Sequence, residues 1–313
     1  MSLAYVILAH RNPDQLGRLL GRLLGRDDRA FVHIDRSVEL GPFEAALRPL
    51  LSSGHVRLAH RRFRSRWAGY NLLAATLATV EQAIIEATFT HVSLISGDAY
   101  PLVPATALHR FFEGAEEQSF MFYSSGDDGI RPPAREGNRA WYWDGDVRRM
   151  TYRHYQVLGR RLHLPNRFVT VVPRLAPPKD LALFQGSQWW TLSRAAARHV
   201  VETFIRRPEL HRFFRRTVAP DEFAVHMVLC NSRLGHTIVN DDLHFIEWAG
   251  WHPRHLTLHD LTSLSESTKL FARKVDGEAQ PQLLDALDRV ADGRETRLAQ
   301  TVATLNRHYL GDV

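Results

Sequence analysis

The sequence predicts an α/β fold in which a Rossmann-like mixed sheet is flanked by helices. Short apolar segments alternate with helical patterns over roughly the first hundred residues, as in strands joined by crossover helices. Polar residues follow directly after several of these apolar segments, namely His10, Asp35 and Asp98. Because ligands of such sheets bind beyond the carboxyl ends of the strands, these three residues are expected at a binding edge.

The elements of the amino-terminal half follow from hydrophobic spacing. Asn12-Pro13-Asp14 supplies a helix start, and the leucines from Leu16 to Leu24 recur after it at helical spacing. Compact apolar runs between the helical patterns predict the strands. The predicted strands cover residues 5–9, 30–34, 55–58 and 90–95, and the further helices cover 43–51, 72–87 and 104–112.

The carboxyl-terminal half is less regular. Residues 124–180 are rich in Gly, Pro, Arg and aromatic side chains, which is typical of substrate-binding loops or a lid. Pro220 is predicted to open a helix with Asp221 and Glu222 in its first turn, where acidic side chains compensate the helix dipole. The other predicted elements are a strand at 187–192, a helix at 194–206 and one or two helices within 278–308.

The composition indicates a soluble globular protein and limits its partners. The 313 residues are 44% hydrophobic and 24% charged, and the net charge of +6 favours nucleotides, anionic lipid surfaces or nucleic acid. The arginine-rich segments lack the motifs of nucleic-acid-binding folds, so no nucleic-acid partner is expected. Cys230 is the single cysteine, which argues against an internal disulfide framework and a cysteine-based zinc site.

The hydropathy of the chain predicts its location. The amino-terminal residues lack the positively charged region and the long apolar run of a signal peptide. No segment approaches the roughly 20 apolar residues of a membrane-spanning helix. We therefore expect a cytoplasmic protein, with peripheral association at the inner face of the membrane as an option.

Five short motifs of polar, charged and aromatic residues follow one another along the sequence. The last of them ends an apolar run with the adjacent cations Arg273 and Lys274. Arginine offers a bidentate fork and lysine a compact point charge, so such a pair can hold a diphosphate without a metal ion. In chain order the motifs are Phe31-Val32-His33-Ile34-Asp35, Arg66-Trp67-Ala68-Gly69, Gly186-Ser187-Gln188-Trp189-Trp190, Pro220-Asp221-Glu222-Phe223 and Leu270-Phe271-Ala272-Arg273-Lys274-Val275.

In this order the motifs resemble those of the core-2/I-branching β-1,6-N-acetylglucosaminyltransferase and peptide O-xylosyltransferase family. The resemblance extends from Val6 to Lys274. It implies a GT-A type glycosyltransferase fold, a nucleotide-sugar donor and inverting transfer to a hydroxyl without a metal ion. Because the chain lacks the anchor, stem and cysteines of animal members, it is similar to a bacterial-type enzyme with a role in polysaccharide biosynthesis.

The domain organisation is predicted to be simple. No internal repeat or interdomain linker interrupts the sequence, so one GT-A-like catalytic domain is expected over residues 1–313. With the resemblance, residues 1–123 correspond to the nucleotide-binding half and residues 124–277 to the acceptor and catalytic half. Residues 278–313 then form carboxyl-terminal helices.

The resemblance implies a role for individual residues. Glu222 matches the catalytic base, Asp35 matches a position that accepts a hydrogen bond from the uracil base, and Arg273 with Lys274 matches the pair that grips the diphosphate. The family carries an acid immediately before its Tyr-Pro pair, where this chain has Ala99. The further donor-binding positions are Ala9, Ser65, Arg66, Trp67, Gln188, Trp189 and His252, and the expected acceptor contacts are Asp98 and Tyr100.

These residue types suit the expected chemistry. A sugar hydroxyl is a poor nucleophile at neutral pH and needs a carboxylate such as Glu222 to take its proton during attack. Charge grows on the nucleoside diphosphate as it leaves. Fixed cations stabilise that charge, and losing one such electrostatic partner costs roughly 3 kcal/mol.

Metal and cofactor requirements are expected to be absent. Asp144-Gly145-Asp146 has Asp-x-Asp spacing but lies well past the fourth predicted strand, where metal-binding GT-A enzymes carry that motif. At the usual place this chain has Ser96-Gly97-Asp98, and hard cations favour more than one oxygen ligand. The expected partners are a UDP-sugar co-substrate, UDP-N-acetylglucosamine or UDP-xylose, and a glycan, glycolipid or small-molecule hydroxyl acceptor.

Other interpretations of the same residues stay open at this stage. Asp221 and Glu222 can serve only the helix dipole, Asp35 can cap a turn, and the tryptophans can belong to the core. A non-catalytic nucleotide-sugar or glycan-binding protein of the same fold is the main alternative. The sequence leaves the sugar, the acceptor, the linkage and the oligomeric state undetermined, and does not decide whether Asp98 replaces the acid missing at Ala99.

Overall fold

The computed structural model describes residues 1–125, 155–157, 160–162, 178–217, 219–250 and 252–311. Within these ranges the chain forms strands and helices in alternation through its amino-terminal part, as predicted. The strands are β1 (Leu3–Ala9), β2 (Arg29–Ile34), β3 (Val56–Leu58), β4 (His91–Ser96), β5 (Tyr100–Pro101), β6 (Ser119–Ser125), β7 (Tyr155–Val157), β8 (Arg160–Leu162), β9 (Phe184–Ser193), β10 (Ile238–Val239), β11 (His244–Ile246), β12 (Trp248–Ala249), β13 (His252–Pro253) and β14 (Phe271–Arg273).

Ten α-helices and three 3₁₀ turns are present in the described residues. The helices are α1 (Pro13–Leu23), α2 (Gly41–Ser52), α3 (Tyr70–Glu86), α4 (Ala105–Glu113), α5 (Arg194–Arg206), α6 (Pro208–Phe214), α7 (Ala224–Cys230), α8 (Leu261–Glu266), α9 (Pro281–Glu295) and α10 (Leu298–Leu310). The 3₁₀ turns are Pro220–Glu222, Gly235–Thr237 and Leu258–Asp260. None of the described helices is both long enough and apolar enough to cross a bilayer.

A mixed sheet of seven strands forms the centre of the fold, in the order β10-β6-β9-β4-β1-β2-β3. Strand β1 pairs in parallel with β2 and β4, and β2 pairs in parallel with β3. Strand β9 runs antiparallel to both β4 and β6. The carboxyl ends of β1, β2 and β4 consequently meet at one edge, and the predicted mixed α/β sheet is confirmed.

Helices cover both faces of this sheet because the side chains of β1 alternate between two cores. Tyr5 and Ile7 pack with α1, α2, α4 and the two carboxyl-terminal helices, whereas Val6 and Leu8 pack with α3, α5 and α7. Helix α1 shows how spacing produces this arrangement, since its leucines at helical intervals are fully buried. Burial of each such leucine contributes roughly 1.5–3 kcal/mol to folding.

A second, three-stranded sheet in the order β11-β14-β5 supports the edge of the first. Ala272 of β14 pairs with Tyr100 of β5, and Ile246 of β11 pairs with Arg273. Because β5 follows β4 after a short turn, this pairing brings the end of β14 close to the carboxyl end of β4. The backbone amide of Val275 donates to the carbonyl of Asp98 at 2.8 Å, which fixes that approach.

Two of the predicted elements differ in the structure. Pro220 opens a 3₁₀ turn that ends at Glu222, and α7 begins only at Ala224, so the acidic pair does not lie in the first turn of an α-helix. The backbone leaves helical geometry at Phe223, whose ring is fully buried. Within 124–180, predicted as loops, β7 and β8 form an antiparallel pair, and Ser124 and Ser125 belong to β6.

Candidate active site

The polar residues predicted at the strand ends do lie at one edge of the large sheet. His10 follows β1 and is exposed, Asp35 follows β2, and Asp98 follows β4. The amide of Asp35 donates to the carbonyl of Ala9 at 2.9 Å, and the amide of Gly97 donates to the carbonyl of Leu8 at 2.9 Å. These bonds hold the turns after the three parallel strands against one another.

Asp98 is surrounded by cations. The Arg273 guanidinium lies 3.2 Å from one carboxylate oxygen and the Arg11 guanidinium lies 3.4 Å from the other. The hydroxyl of Ser96 also donates to Asp98. Burial raises the pKa of Asp98, but the positive charge of Arg273, the Ser96 hydroxyl and the charges of Lys274 and Arg11 lower it further, so the pKa stays below its ordinary value. Asp98 is therefore an ionised counter-ion.

Arg273 is buried and held on two sides. Its Nε donates to the hydroxyl of Ser96 at 3.3 Å, and its Cζ lies 4.5 Å from the ring centre of Trp189. The Trp189 ring lies 6.1 Å from the ring of His244, which in turn packs on Phe271 at 5.1 Å. The guanidinium is consequently fixed in direction, because a cation over an aromatic face is attracted by the ring.

Lys274, the next residue, is half-buried. Burial lowers the pKa of its ammonium, the charge of Asp98 raises it, and Arg273 and Arg11 lower it again. In the described part of the chain its ammonium forms no hydrogen bond and no ion pair. A half-buried ammonium with three donors is suited to an anionic ligand.

Arg11 was not among the residues expected from the sequence. Besides Asp98, its guanidinium contacts the imidazole of His255 at 3.2 Å, and the charge of Arg11 also lowers the pKa of Asp276. The cluster of Arg11, Arg273 and Lys274 thus carries three positive charges, and Asp98 with Asp276 supplies two negative ones, so one positive charge is in excess. A basic residue two positions after a predicted strand was the only available sign of this role.

Asp35 organises the loop that follows β3. One of its oxygens accepts from the amide of Ser37 at 2.8 Å and from the Ser37 hydroxyl at 2.6 Å, and the other accepts from the amide of Ser65 at 2.7 Å. Burial raises the pKa of Asp35, but these hydrogen bonds lower it more, so the carboxylate is ionised. Asp35 caps a turn, which leaves its predicted contact with uracil as a proposal.

The loop continues to Trp67, whose side chain is 69% exposed and lies edge-on to His252 at 6.2 Å between ring centres. Ala68 adopts a left-handed conformation with φ of 58°. Its carbonyl accepts from the amide of Ala219 at 2.9 Å. This bond ties the predicted donor loop to the segment immediately before Pro220–Glu222.

Glu222 ends that 3₁₀ turn and is half-buried. Its amide donates to the carbonyl of Ala219 at 3.0 Å, and the turn packs against β9, α3 and α7. Since β9 carries Trp189, the turn with Glu222 and the strand behind Arg273 are direct neighbours. The two motifs, which are far apart in the sequence, are therefore connected through β9.

Gly186 shows why the motif on β9 begins with glycine. A Cβ at this position would lie 1.8 Å from the carbonyl oxygen of Phe122 and 2.7 Å from Nε2 of His226. Only glycine allows β9 to pass so close to β6 and α7. Two residues later, Gln188 has a buried side-chain nitrogen that finds no hydrogen-bond partner in the described residues, and Trp190 belongs to the core.

Two residues that were expected to contact a substrate, Ala9 and Tyr100, are buried in the protein. The side chain of Ala9 is buried, and a Cβ on Gly97 would approach it to 2.9 Å, so the end of β1 accepts only a small residue. Tyr100 is fully buried, and its hydroxyl donates to Asp288 of α9 at 2.8 Å. Its ring is covered by protein, and the predicted acceptor contact of Tyr100 stays a prediction.

A series of contacts connects the residues around the site. Beginning at Glu222, they run through Ala219 and Ala68 to Trp67 and His252, and then from His255 through Arg11 and Asp98 to Arg273 and Trp189 on β9. Across the described ranges, no group of three or more His, Cys, Asp or Glu side chains is arranged to hold a metal ion. Asp144 and Asp146 lie outside the described residues.

Comparison with known families gives a clear assignment. The family model of the core-2/I-branching enzyme matches residues 3–266, which is most of the chain. The chain belongs to the core-2/I-branching enzyme family. The family is one of glycosyltransferases, so the resemblance inferred from the ordered motifs is confirmed.

The individual relatives match this chain either over a short segment or at low sequence identity. A β-glucuronosyltransferase of Arabidopsis thaliana, GlcAT14A, is 36% identical over 123 residues, covering 38% of this chain and 27% of that protein. Xylosyltransferase 2 of Rattus norvegicus is 24% identical over 311 residues, covering 91% of this chain and 33% of that protein. The chain thus spans about a third or less of the length of these relatives.

Solved structures with a related shape include Staphylococcus aureus TarS 1–349. Its complex with UDP aligns at 11% identity with a TM-score of 0.38, covering 98% of this chain and 72% of that chain. The same TarS segment without UDP aligns at 12% identity with a TM-score of 0.37, covering 76% and 57%. Similarity at this level carries no information about ligand or reaction.

Proposed function

We propose that this core-2/I-branching family member is an inverting glycosyltransferase that uses a UDP-sugar, UDP-N-acetylglucosamine or UDP-xylose, without a metal ion. The acceptor is a hydroxyl of a glycan, glycolipid or other small molecule. The observation that carries the proposal is the cluster of Arg11, Arg273 and Lys274 around Asp98, together with the turn ending in Glu222 that packs against β9, the strand carrying Trp189.

The donor binds with its uracil near Asp35 and its diphosphate on the cation cluster. Asp35 has an ionised carboxylate that can accept a further hydrogen bond, and it follows β2, which is next to β1 and is separated from β4 by β1. Arg273 presents a fork held against Trp189, and Lys274 supplies a point charge. The rest of the donor pocket is lined by six further residues, and Ala9 lies below it. The six are Ser65, Arg66, Trp67, Gln188, Trp189 and His252.

Transfer is a single displacement. The acceptor oxygen attacks the anomeric carbon as its proton passes to the carboxylate of Glu222. The bond between that carbon and the β-phosphate oxygen breaks, and its electron pair leaves with UDP. Attack and departure occur on opposite sides of the carbon, so the configuration inverts.

The leaving group is stabilised by fixed charge. Arg273 is held by Ser96 and Trp189 before any ligand arrives, so little reorganisation is required as charge develops on the β-phosphate. The excess positive charge of the cluster favours a diphosphate over a neutral ligand. Fixed cations in this arrangement supply the electrostatic stabilisation that a divalent ion provides in other glycosyltransferases.

The test is release of UDP by the purified protein from each UDP-sugar, with acceptors, in excess chelator. Turnover that persists in chelator and yields the inverted anomer is the expected result. Loss of all activity in chelator with recovery in manganese would refute the metal-free part of the proposal. Binding of UDP with no turnover on any acceptor would instead favour a non-catalytic binding protein.

The role of Glu222 has its own test. Glu222→Gln is expected to lower the turnover number by about 10²–10⁴-fold while the affinity for UDP stays unchanged, because only the proton acceptor is lost. Glu81→Gln, at an exposed position of α3, is the matched control for the change of charge. Wild-type turnover in Glu222→Gln would show that Glu222 is not the catalytic base.

A further inference from the structure

The loop between β3 and α3, residues 59–69, is rich in arginine and has no acidic residue. Its sequence contains four arginines and no Asp or Glu. Arg61, Arg64 and Arg66 are exposed, as is Arg36 in the neighbouring turn after β2. We name Arg36, Arg61 and Arg64 the arginine rim.

The rim stands on a rigid backbone. Arg62, the remaining arginine of the loop, donates to the carbonyls of Ile34 at 2.9 Å, Asp35 at 2.8 Å and Val38 at 2.6 Å. The amide of Phe63 donates to the imidazole of His33 at 2.9 Å, and the amide of Arg36 donates to the Phe63 carbonyl at 2.9 Å. One arginine thus fixes the loop, and the exposed ones are presented on a fixed support.

Little protein charge offsets the rim. Among the described residues, Arg36, Arg61 and Arg64 form no ion pair, and Arg61 instead stacks on the ring of Phe63 at 5.2 Å. Uncompensated like charges on one loop repel one another and disfavour the folded state. Their presence is explained if an anionic ligand supplies the missing charge.

The rim also borders the active site. The loop carrying it bonds to Asp35 through Ser65, reaches His252 through Trp67 and bonds to Ala219, beside the turn of Glu222, through Ala68. Trp67 is 69% exposed and presents a broad apolar face next to these cations. An exposed aromatic face beside arginine forks suits a sugar ring that bears a carboxylate or phosphate.

We infer that the arginine rim forms the acceptor subsite for an anionic glycan, one whose residues carry carboxylates, and that Trp67 borders both this subsite and the donor pocket. This inference rests on the proposed function for its place in the reaction, but binding of the glycan can be measured without the donor. Trp67 contacts His252, which is also a predicted donor-binding residue, and this contact favours a glycan in the site over a lipid surface.

The test is calorimetric titration of the full chain with two oligosaccharides of equal length, one rich in uronic acid and one neutral. The acidic one is expected to bind, with affinity that falls as salt is raised, and the neutral one at least tenfold more weakly. The variant Arg36→Gln/Arg61→Gln/Arg64→Gln is expected to lose at least tenfold in affinity for the acidic oligosaccharide only.

The control variant removes three positive charges from another part of the protein surface. Arg48→Gln/Arg110→Gln/Arg289→Gln alters exposed arginines of α2, α4 and α9 and is expected to change the affinity by less than threefold. Equal losses in both triple variants, equal binding of the two oligosaccharides, or binding only to anionic vesicles or RNA would overturn the inference.

UDP affinity, measured in parallel, separates this inference from the proposed function. Both triple variants are expected to bind UDP as the wild type does. A wild type that binds the acidic oligosaccharide through the rim but not UDP contradicts the proposed function alone. One that binds UDP but neither oligosaccharide contradicts the acceptor inference alone.

Discussion

The guanidinium carbon of Arg273 lies 4.5 Å from the ring centre of Trp189, which joins two motifs that are far apart in the sequence. On its other side the same guanidinium meets Asp98 at 3.2 Å. The aromatic face orients the cation and the carboxylate balances its charge. The contact therefore gives Trp189 a positioning role behind Arg273 in addition to its predicted place in the donor pocket.

Replacement of Trp189 tests this positioning. Trp189→Leu is expected to weaken UDP binding by about tenfold, because a partly desolvated cation–π contact contributes roughly 1–2 kcal/mol. Trp190→Leu is the matched control, since Trp190 is buried in the core and is expected to lower the melting temperature without changing UDP affinity in the folded protein. Titration calorimetry and thermal unfolding of both variants provide the comparison, and unchanged UDP affinity in Trp189→Leu would remove the positioning role.

Asp98 has two proposed roles that a single variant separates. As a counter-ion it competes with a diphosphate for Arg11 and Arg273, so Asp98→Asn is expected to raise UDP affinity several-fold and to lower the free energy of unfolding. As an acceptor contact, which the sequence predicted, its loss would raise the KM for the acceptor and leave UDP affinity unchanged. We expect the first pattern, measured by UDP titration and acceptor kinetics.

The pH dependence of the same variant supplies a second measurement. The pKa of Asp98 is lowered in the folded protein relative to its ordinary 3.8, despite burial, because Arg273 and the Ser96 hydroxyl outweigh desolvation. Its stabilising contribution is therefore present above about pH 4 and is lost as the pH falls through the lower folded-state pKa. The difference in unfolding free energy between wild type and Asp98→Asn is expected to shrink below pH 4, and a constant difference would contradict the counter-ion role.

The sequence was sufficient to place the sheet edge but not the full cluster. Asp35 and Asp98 were found because an acid after an apolar run is a distinctive pattern. Arg11 was missed because a single arginine after a strand resembles any solvated surface cation, and only the pairing of β14 with β5 brings Arg273 to it. The hydrogen bond of Tyr100 could not be predicted, because a tyrosine before proline gives no sign that Asp288, far along the chain, will accept from its hydroxyl.

The backbone conformation around Glu222 could not be predicted from the neighbouring residues in the sequence either. A proline followed by two acids is compatible with the start of either an α-helix or a 3₁₀ turn. The choice is made by long-range contacts: Ala219 bonds to Ala68, and the ring of Phe223 is buried in the hydrophobic core. The role of Glu222 as the base, which the resemblance implies, stays a prediction, whereas its placement depends on partners that are remote in sequence.

Gly186→Ala is expected to unfold the protein or disrupt the β6–β9 pairing. The new Cβ would lie 1.8 Å from the Phe122 carbonyl oxygen, and this backbone atom cannot move without breaking the sheet. Gly293→Ala is the matched control, because a Cβ there meets nothing within 4 Å and the site lies inside helix α9, where alanine stabilises by about 1 kcal/mol. Melting temperatures of the two variants should shift in opposite directions, and a folded, fully stable Gly186→Ala protein would show that β9 can shift.

Buried histidines predict a loss of stability in mild acid. Burial lowers the pKa of His91 to about 4, although its Nε2 lies 3.0 Å from the Gln118 carbonyl oxygen, and burial lowers the pKa of His226 to about 4 as well. Because the unfolded chain binds these protons near its ordinary pKa of 6.5, stability falls as the pH drops from about 6.5 toward 4. By pH 5 each histidine is expected to have cost about 2 kcal/mol.

His91→Gln isolates one of the two contributions. Glutamine can keep the donor to the Gln118 carbonyl but does not titrate, so the variant should lose less stability than the wild type between pH 7.5 and 5. Its stability at pH 7.5 is expected to be lower, because the imidazole also packs on Phe112 at 4.8 Å. Chemical denaturation at both pH values measures the two effects separately. A variant with the same acid-dependent loss as the wild type would show that His91 already binds its proton in the folded state.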